Sequence, residues 1–180
     1  MESTRSIAGS VRGRLDAEGV PYRWLDIDPA YADTAEFCAH YGYALEDSVN
    51  CILVVAKTEP RRYAACLVQA TRRLDVNRAV RRLLGARRVS FAGPEETVGL
   101  TGMQVGGVTP VGLPPGLPVY LDAPVTEREE IVLGGGDRGG KVLITPRRCS
   151  PTCPAPWWWR TSRPRRPAPD PAALRSRPSV

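Results

Sequence analysis

The sequence predicts a mixed α/β domain, and three observations carry that expectation. Short stretches of strand character are interspersed with three or four stretches of helical periodicity, rather than segregating into separate halves. Two dense apolar runs, residues 49–56 and 63–70, flank the polar turn Lys57-Thr58-Glu59-Pro60, the pattern of a buried hairpin. Glycines close the helical stretches and crowd the second half of the chain, which suits many short elements joined by tight turns.

Each element follows from local chemistry. Residues 7–18 place Ile7, Val11 and Leu15 four apart on one helix face, and Gly19 closes the segment. Residues 22–28 read as a strand after Pro21. Asp33 or Thr34 caps a second helix with Glu36 in its first turn, ending near Tyr41 at Gly42. Cys51-Ile52-Leu53-Val54-Val55-Ala56 is the best candidate for a central strand. Asp75 caps a third helix through Leu84, with Val76, Ala79, Val80, Leu83 and Leu84 inward and Gly85 at its end. Arg78, Arg81 and Arg82 then face outward, either as solvated surface or against a phosphate backbone. Residues 88–91 form a short strand, and Pro94-Glu95-Glu96 begins a fourth helix. Residues 119–122, 130–133 and 141–144 are strands, the last preceded by a glycine-rich loop over 134–140.

The totals narrow the function classes. A chain of 180 residues fits one domain with a real core and some excess. No stretch reaches the apolar length of a membrane span, and the N-terminus lacks a signal peptide's apolar run, so a cytoplasmic protein without a membrane partner is expected. Cys38, Cys51, Cys66, Cys149 and Cys153 are odd in number and without scaffold spacing, which reads as reduced thiols. Cys149 and Cys153 lack a second pair, so neither a metal nor another cofactor is expected. His40 sits in a helical stretch, and one histidine there builds no Ser–His–Asp or Cys–His set. The net charge of +6 is concentrated at the end: residues 147–180 carry eight Arg and one Asp, leaving 17 basic and 18 acidic side chains before them. The body's one basic concentration runs from Arg72 to Arg88, seven arginines against Asp75 alone.

The chain is organised around Gly106-Gly107-Val108-Thr109-Pro110-Val111-Gly112. Three glycines and a proline in seven residues belong to neither a helix nor a central strand. Such a turn presents bare N–H groups to a carbonyl or carboxylate oxygen. A plain tight turn between two strands is the alternative.

Taken in order, the motifs resemble the YbaK/EbsC family of aminoacyl-tRNA deacylases, related to the editing domain inserted in bacterial prolyl-tRNA synthetases. The likeness spans residues 6–146: the two apolar strands, Asp-Val-Asn-Arg-Ala-Val, Leu-Gly-Ala-Arg-Arg-Val, Thr101-Gly102-Met103, the glycine loop, Leu121-Asp122-Ala123-Pro124 and Gly135-Gly136-Asp137-Arg138-Gly139. The resemblance implies a mixed sheet curled into a barrel-like shape with helices around it. It implies that residues 106–110 line a pocket for a misattached amino acid, which the family hydrolyses from the terminal ribose of tRNA. An aminoacyl ester is already activated, so orientation, an oxyanion partner and water suffice. Backbone N–H groups from Gly106 through Gly107 and Val108 to Thr109, with Pro110 holding the turn, are expected at the reacting carbonyl. Thr34, Gly112, Asp122, Gly135, Gly136 and Arg138 are the further expected substrate contacts. Asp122 is equally a strand-end turn residue, and Arg138 equally a solvated loop charge.

One departure matters. The resemblance implies a lysine just before the central strand, as most members carry, and aligning on the apolar run puts Asn50 there. Lys57 lies at the wrong end of that strand to substitute for it. Asn50 keeps hydrogen-bonding capacity without the charge, so the substrate need not be the cysteinyl-tRNA(Pro) of the best-known members.

From Arg147 the composition changes abruptly to eight prolines, eight arginines and three consecutive tryptophans. This reads as a disordered tail, or as one translated out of frame, since three Trp codons preceded by G shift to three valine codons. The expected function is trans-acting hydrolysis of mischarged aminoacyl-tRNA, with the tRNA 3′ end and an aminoacyl-tRNA synthetase as partners. The alternatives are a non-catalytic tRNA- or protein-binding relative, and general RNA binding through the tail.

Overall fold

The computed structural model describes residues 7–146, so the tail from Arg147, with its expected disorder or frameshift, lies outside the described residues. Helix α1 (Ile7–Ala17) buries Val11 and Leu15 as their spacing predicts. Strand β1 (Tyr22–Asp26) stops two residues short of expectation, because Asp28 accepts a hydrogen bond from the Ala30 N–H and starts a 3-10 turn over Pro29–Tyr31. Helix α2 (Thr34–Tyr41) buries Phe37 and Cys38 and ends at Gly42, whose φ of 75° is left-handed.

Strands β2 (Val49–Ala56) and β3 (Arg62–Gln69) pair antiparallel from Val49↔Gln69 to Ala56↔Arg62, the expected hairpin. Strand β4 (Val89–Phe91) flanks β2 antiparallel and β5 (Val119–Leu121) flanks β3 parallel, giving the order β4-β2-β3-β5. Strands β6 (Ile131–Gly134) and β7 (Gly140–Ile144) join β1 in a second, antiparallel sheet, β1-β7-β6. A parallel bridge between Ser48 and Val132 links the two sheets, supported by the Val132 N–H on the Asp47 carbonyl at 2.8 Å. The class is thus the expected mixed α/β. Its curled sheet is two sheets joined at one bridge, and the strands do not close into a continuous barrel.

The segment after β3 differs from the expected single α-helix. Val76–Val80 is a π-helix, with the Asp75 carboxylate accepting from the Arg78 N–H, and it continues into α3 (Arg81–Leu84). The π turn takes an extra residue and narrows the inner stripe to Val76, Val80 and Leu84. Ala79 and Leu83, expected inside, are exposed. Helix α4 (Pro94–Thr101) follows.

Strand alternation divides the interior. Val49, Ala65 and Leu67 point into the principal core with Val11, Leu15, Ile131, Leu133 and Val142, so both sheets and α1 share it. Val54, Ala56, Ala64, Cys66 and Val68 face the other way, onto Val80 and Leu84. Phe37 and Cys38 of α2 cover Val132 and Leu143. Each fully buried Leu or Val contributes about 1.5–3 kcal/mol.

Candidate functional site

A cleft of about 470 Å³ opens where the two sheets meet, with both members of the Ser48–Val132 bridge in its wall. That volume falls within the range of roughly 300–1,000 Å³ typical of small-ligand sites. The first half of β2 forms one side, the start of α2 another, and Val105, Gly106 and Val108 of the glycine loop a third. Phe91 and Val105 are exposed apolar side chains at its rim.

Thr34 and Asn50 meet in this cleft: the Thr34 hydroxyl donates to Asn50 Oδ1 at 2.8 Å. That contact orients the amide and leaves both Nδ2 protons without a partner among the described residues. In the glycine loop, the Gly107 N–H donates to the Gln104 carbonyl at 2.9 Å and the Thr109 N–H to Met103 Sδ at 3.4 Å. Among the described residues Gly106 and Val108 have no such acceptor, and these two residues border the cleft. Committed and free N–H groups therefore alternate over residues 106–109, where the chain turns with Gly106 at a left-handed φ of 92°.

The model of one protein family, described as the aminoacyl-tRNA editing domain, matches residues 28–149. The chain belongs to this family. By structure the domain is similar to a proposed trans-editing enzyme for prolyl tRNA synthetase, with 28% identity and a TM-score of 0.70 over 81% of this chain and 90% of that one. It is also similar to hypothetical protein APE2540, at 29% identity and TM-score 0.69 over 76% and 89% of the two chains. A scaffold protein used in computational epitope grafting matches at 26% identity and TM-score 0.69, over 79% and 88%. Aminoacyl-tRNA editing is thus the function at the level of the family.

The rest of the expected site residues of this editing domain are not in the wall of the cleft. Gly107 packs so closely on the β6–β7 turn that an added Cβ would sit 2.1 Å from the Asp137 carbonyl oxygen. Thr109 and Pro110 are buried, Gly112 is exposed, and none borders the cleft. Gly135 and Gly136 are packing positions, where a Cβ would collide at 2.7 Å with Trp24 and Ile7 respectively. Arg138 lies over Gly106, pinned by Asp33 Oδ1 at 3.1 Å and the Pro29 carbonyl at 3.2 Å. Asp33 thus stands at the N-cap of α2 without capping it. Asp122 is not brought to the cleft: it follows β5, with Oδ2 2.9 Å from Arg72 Nε in an ion pair off hydrogen-bond alignment. His40 stacks on Tyr31 at 3.8 Å, also outside the cleft.

Lys141 is the residue that sequence reasoning missed. It occupies β7, whose five residues are all buried, and it reaches the cleft wall. Its Nζ donates to the Ala32 carbonyl at 2.8 Å and lies 5.1 Å from the centre of the Phe37 ring. Burial holds its ammonium below the ordinary lysine value, with Cys38 and Asp33 pulling the other way and Arg138 reinforcing the drop. A signal was present: only Lys57 and Lys141 are lysines among 25 basic residues, and the second interrupts an apolar strand. For Cys51, also in the wall, burial and then the neighbouring Cys66 push the thiol up, which disfavours the thiolate that nucleophilic attack needs.

Proposed function

We propose that the cleft hydrolyses, in trans, the ester joining a mismatched amino acid to the 3′-terminal ribose of a tRNA. The observation that carries this reading is the set of uncommitted donors around one cavity: Asn50 Nδ2 and the N–H groups of Gly106 and Val108. Water adds to the ester carbonyl, and negative charge grows on the carbonyl oxygen, where such donors act most strongly. The intermediate collapses by breaking the bond to the ribose oxygen, which takes a proton. Free amino acid and uncharged tRNA leave. The Lys141 ammonium adds positive charge to the same cavity. Burial that keeps the Cys51 thiol protonated favours direct attack by water over a covalent intermediate.

In this reading the aminoacyl-tRNA 3′ end is the substrate, residues 6–146 are the editing unit, and a synthetase partner is suggested by the neighbour described as acting for prolyl tRNA synthetase. The test is release of free amino acid from a panel of mischarged tRNAs. Turnover of at least one supports hydrolysis. Binding of tRNA with no turnover on any of them assigns the chain instead to a non-catalytic binding role, which Asn50 in place of a lysine would favour.

A further inference from the structure

The arginines between Arg72 and Arg88 are left almost entirely without acidic partners. Arg72 pairs with Asp122, but Arg73, Arg78, Arg81, Arg82, Arg87 and Arg88 are all exposed and have no carboxylate partner among the described residues. Asp75, the acid within the segment, turns its carboxylate to the Arg78 N–H. Arg78, Arg81, Arg82 and Arg87 surround one shallow depression of about 380 Å³. Arg78, Arg81 and Arg82 sit three and four apart, a spacing at which like charges repel. The helix dipole accounts for Arg81 and Arg82 in the last turn, and not for the other four. Such a cluster matches a polyanion whose charges are repeated along a line.

Its position relates it to the cleft. Arg88 leads directly into β4, and Phe91, three residues on, stands at the cleft rim. Three extended residues span about 10 Å. The basic segment thus ends, at Arg88, about 10 Å of chain from the cleft rim, and Arg87 of the depression adjoins it.

We propose that the arginine face on the Val76–Leu84 helical segment is a second, sequence-independent binding site for the sugar-phosphate backbone of the tRNA acceptor arm. This rests on the cleft's reading as the site of the aminoacyl 3′ end. The face supplies affinity for the RNA body, and the cleft supplies the chemistry.

The test uses the full chain carrying Arg78→Gln, Arg81→Gln, Arg82→Gln and Arg87→Gln together, with the four matching Arg→Lys changes as a charge-preserving control. Binding of uncharged tRNA is measured from low to moderate salt, and hydrolysis is compared on aminoacyl-tRNA and on a 3′-aminoacyl trinucleotide. The glutamine variant is expected to bind tRNA about tenfold or more weakly, with the slope of log K against log salt reduced by about 3. The lysine control should keep both, and the trinucleotide should be cleaved equally by every form. Unchanged affinity and slope in a glutamine variant that melts like the parent would overturn the proposal. So would loss of trinucleotide cleavage alongside tRNA binding, because the face would then act through the cleft. Lost binding to phosphatidylserine vesicles with intact tRNA binding would assign the face to a membrane and also overturn it. If the glutamine variant melts early, the pair Arg81→Gln and Arg87→Gln is read by the same criteria, with half the change in slope. Should no form hydrolyse any substrate, the cleft's reading fails, while the tRNA-binding comparison still decides this one.

Discussion

Gly107 illustrates how a residue's role depends on what stands behind it. Its N–H is taken by Gln104 and its carbonyl accepts from the Gly136 N–H at 2.7 Å. A side chain there meets the Asp137 backbone rather than the cleft. Gly107→Ala is therefore expected to push the loop off the β6–β7 turn, costing about 1–3 kcal/mol of stability by overpacking. Thermal melting measures this, and an unchanged melting temperature would contradict the packing argument. Asn50 is the opposite case, half-buried with a free amide donor. Asn50→Ala should lower kcat/KM by roughly ten- to a hundredfold, for a lost hydrogen bond of about 1–3 kcal/mol, with little change in melting. Lys141→Met removes a buried charge, but it also takes the donor from the buried Ala32 carbonyl, at a cost of about 1–3 kcal/mol. The melting temperature should fall modestly while kcat/KM falls; full activity in the folded variant would remove the ammonium from the chemistry.

At the scale of elements, the β2–β3 hairpin carries the clearest pH dependence. Cys66 is buried on β3, and desolvation pushes its thiol from 9.0 to about 12; burial moves Cys51 on β2 the same way. Unfolding returns both to ordinary values, so above pH 9.0 the unfolded chain loses protons that the folded chain keeps. Stability from these thiols is fully present below pH 9.0 and is lost as the pH rises toward about 12. Urea midpoints at pH 8 and pH 10.5 should differ in that direction, and Cys66→Ala should flatten the difference. An equally steep loss in Cys66→Ala would place its origin elsewhere. The hairpin was legible in the sequence because two apolar runs flank one polar turn. The π-helix was not, since an extra residue per turn leaves composition and caps unchanged.

Across the whole molecule, the principal core draws on α1, both sheets and the glycine loop, and β7 completes it at Val142 and Ile144. A chain ending at Pro146 should therefore melt as the full chain does, and a drop of several degrees would show that residues 147–180 contribute to the fold. The sequence by itself determined which segments are helix and strand, where glycines end them, and that a glycine loop dominates the second half. Those properties depend on neighbours within a turn or a strand pair. Only the tertiary structure decided which side chains share the cleft. Thr34 meets Asn50 across 16 residues, Arg138 meets Asp33 across 105, and Lys141 meets the Ala32 carbonyl across 109. Sheet pairing and register bring such positions together, and neither leaves a periodic mark on the residues it joins.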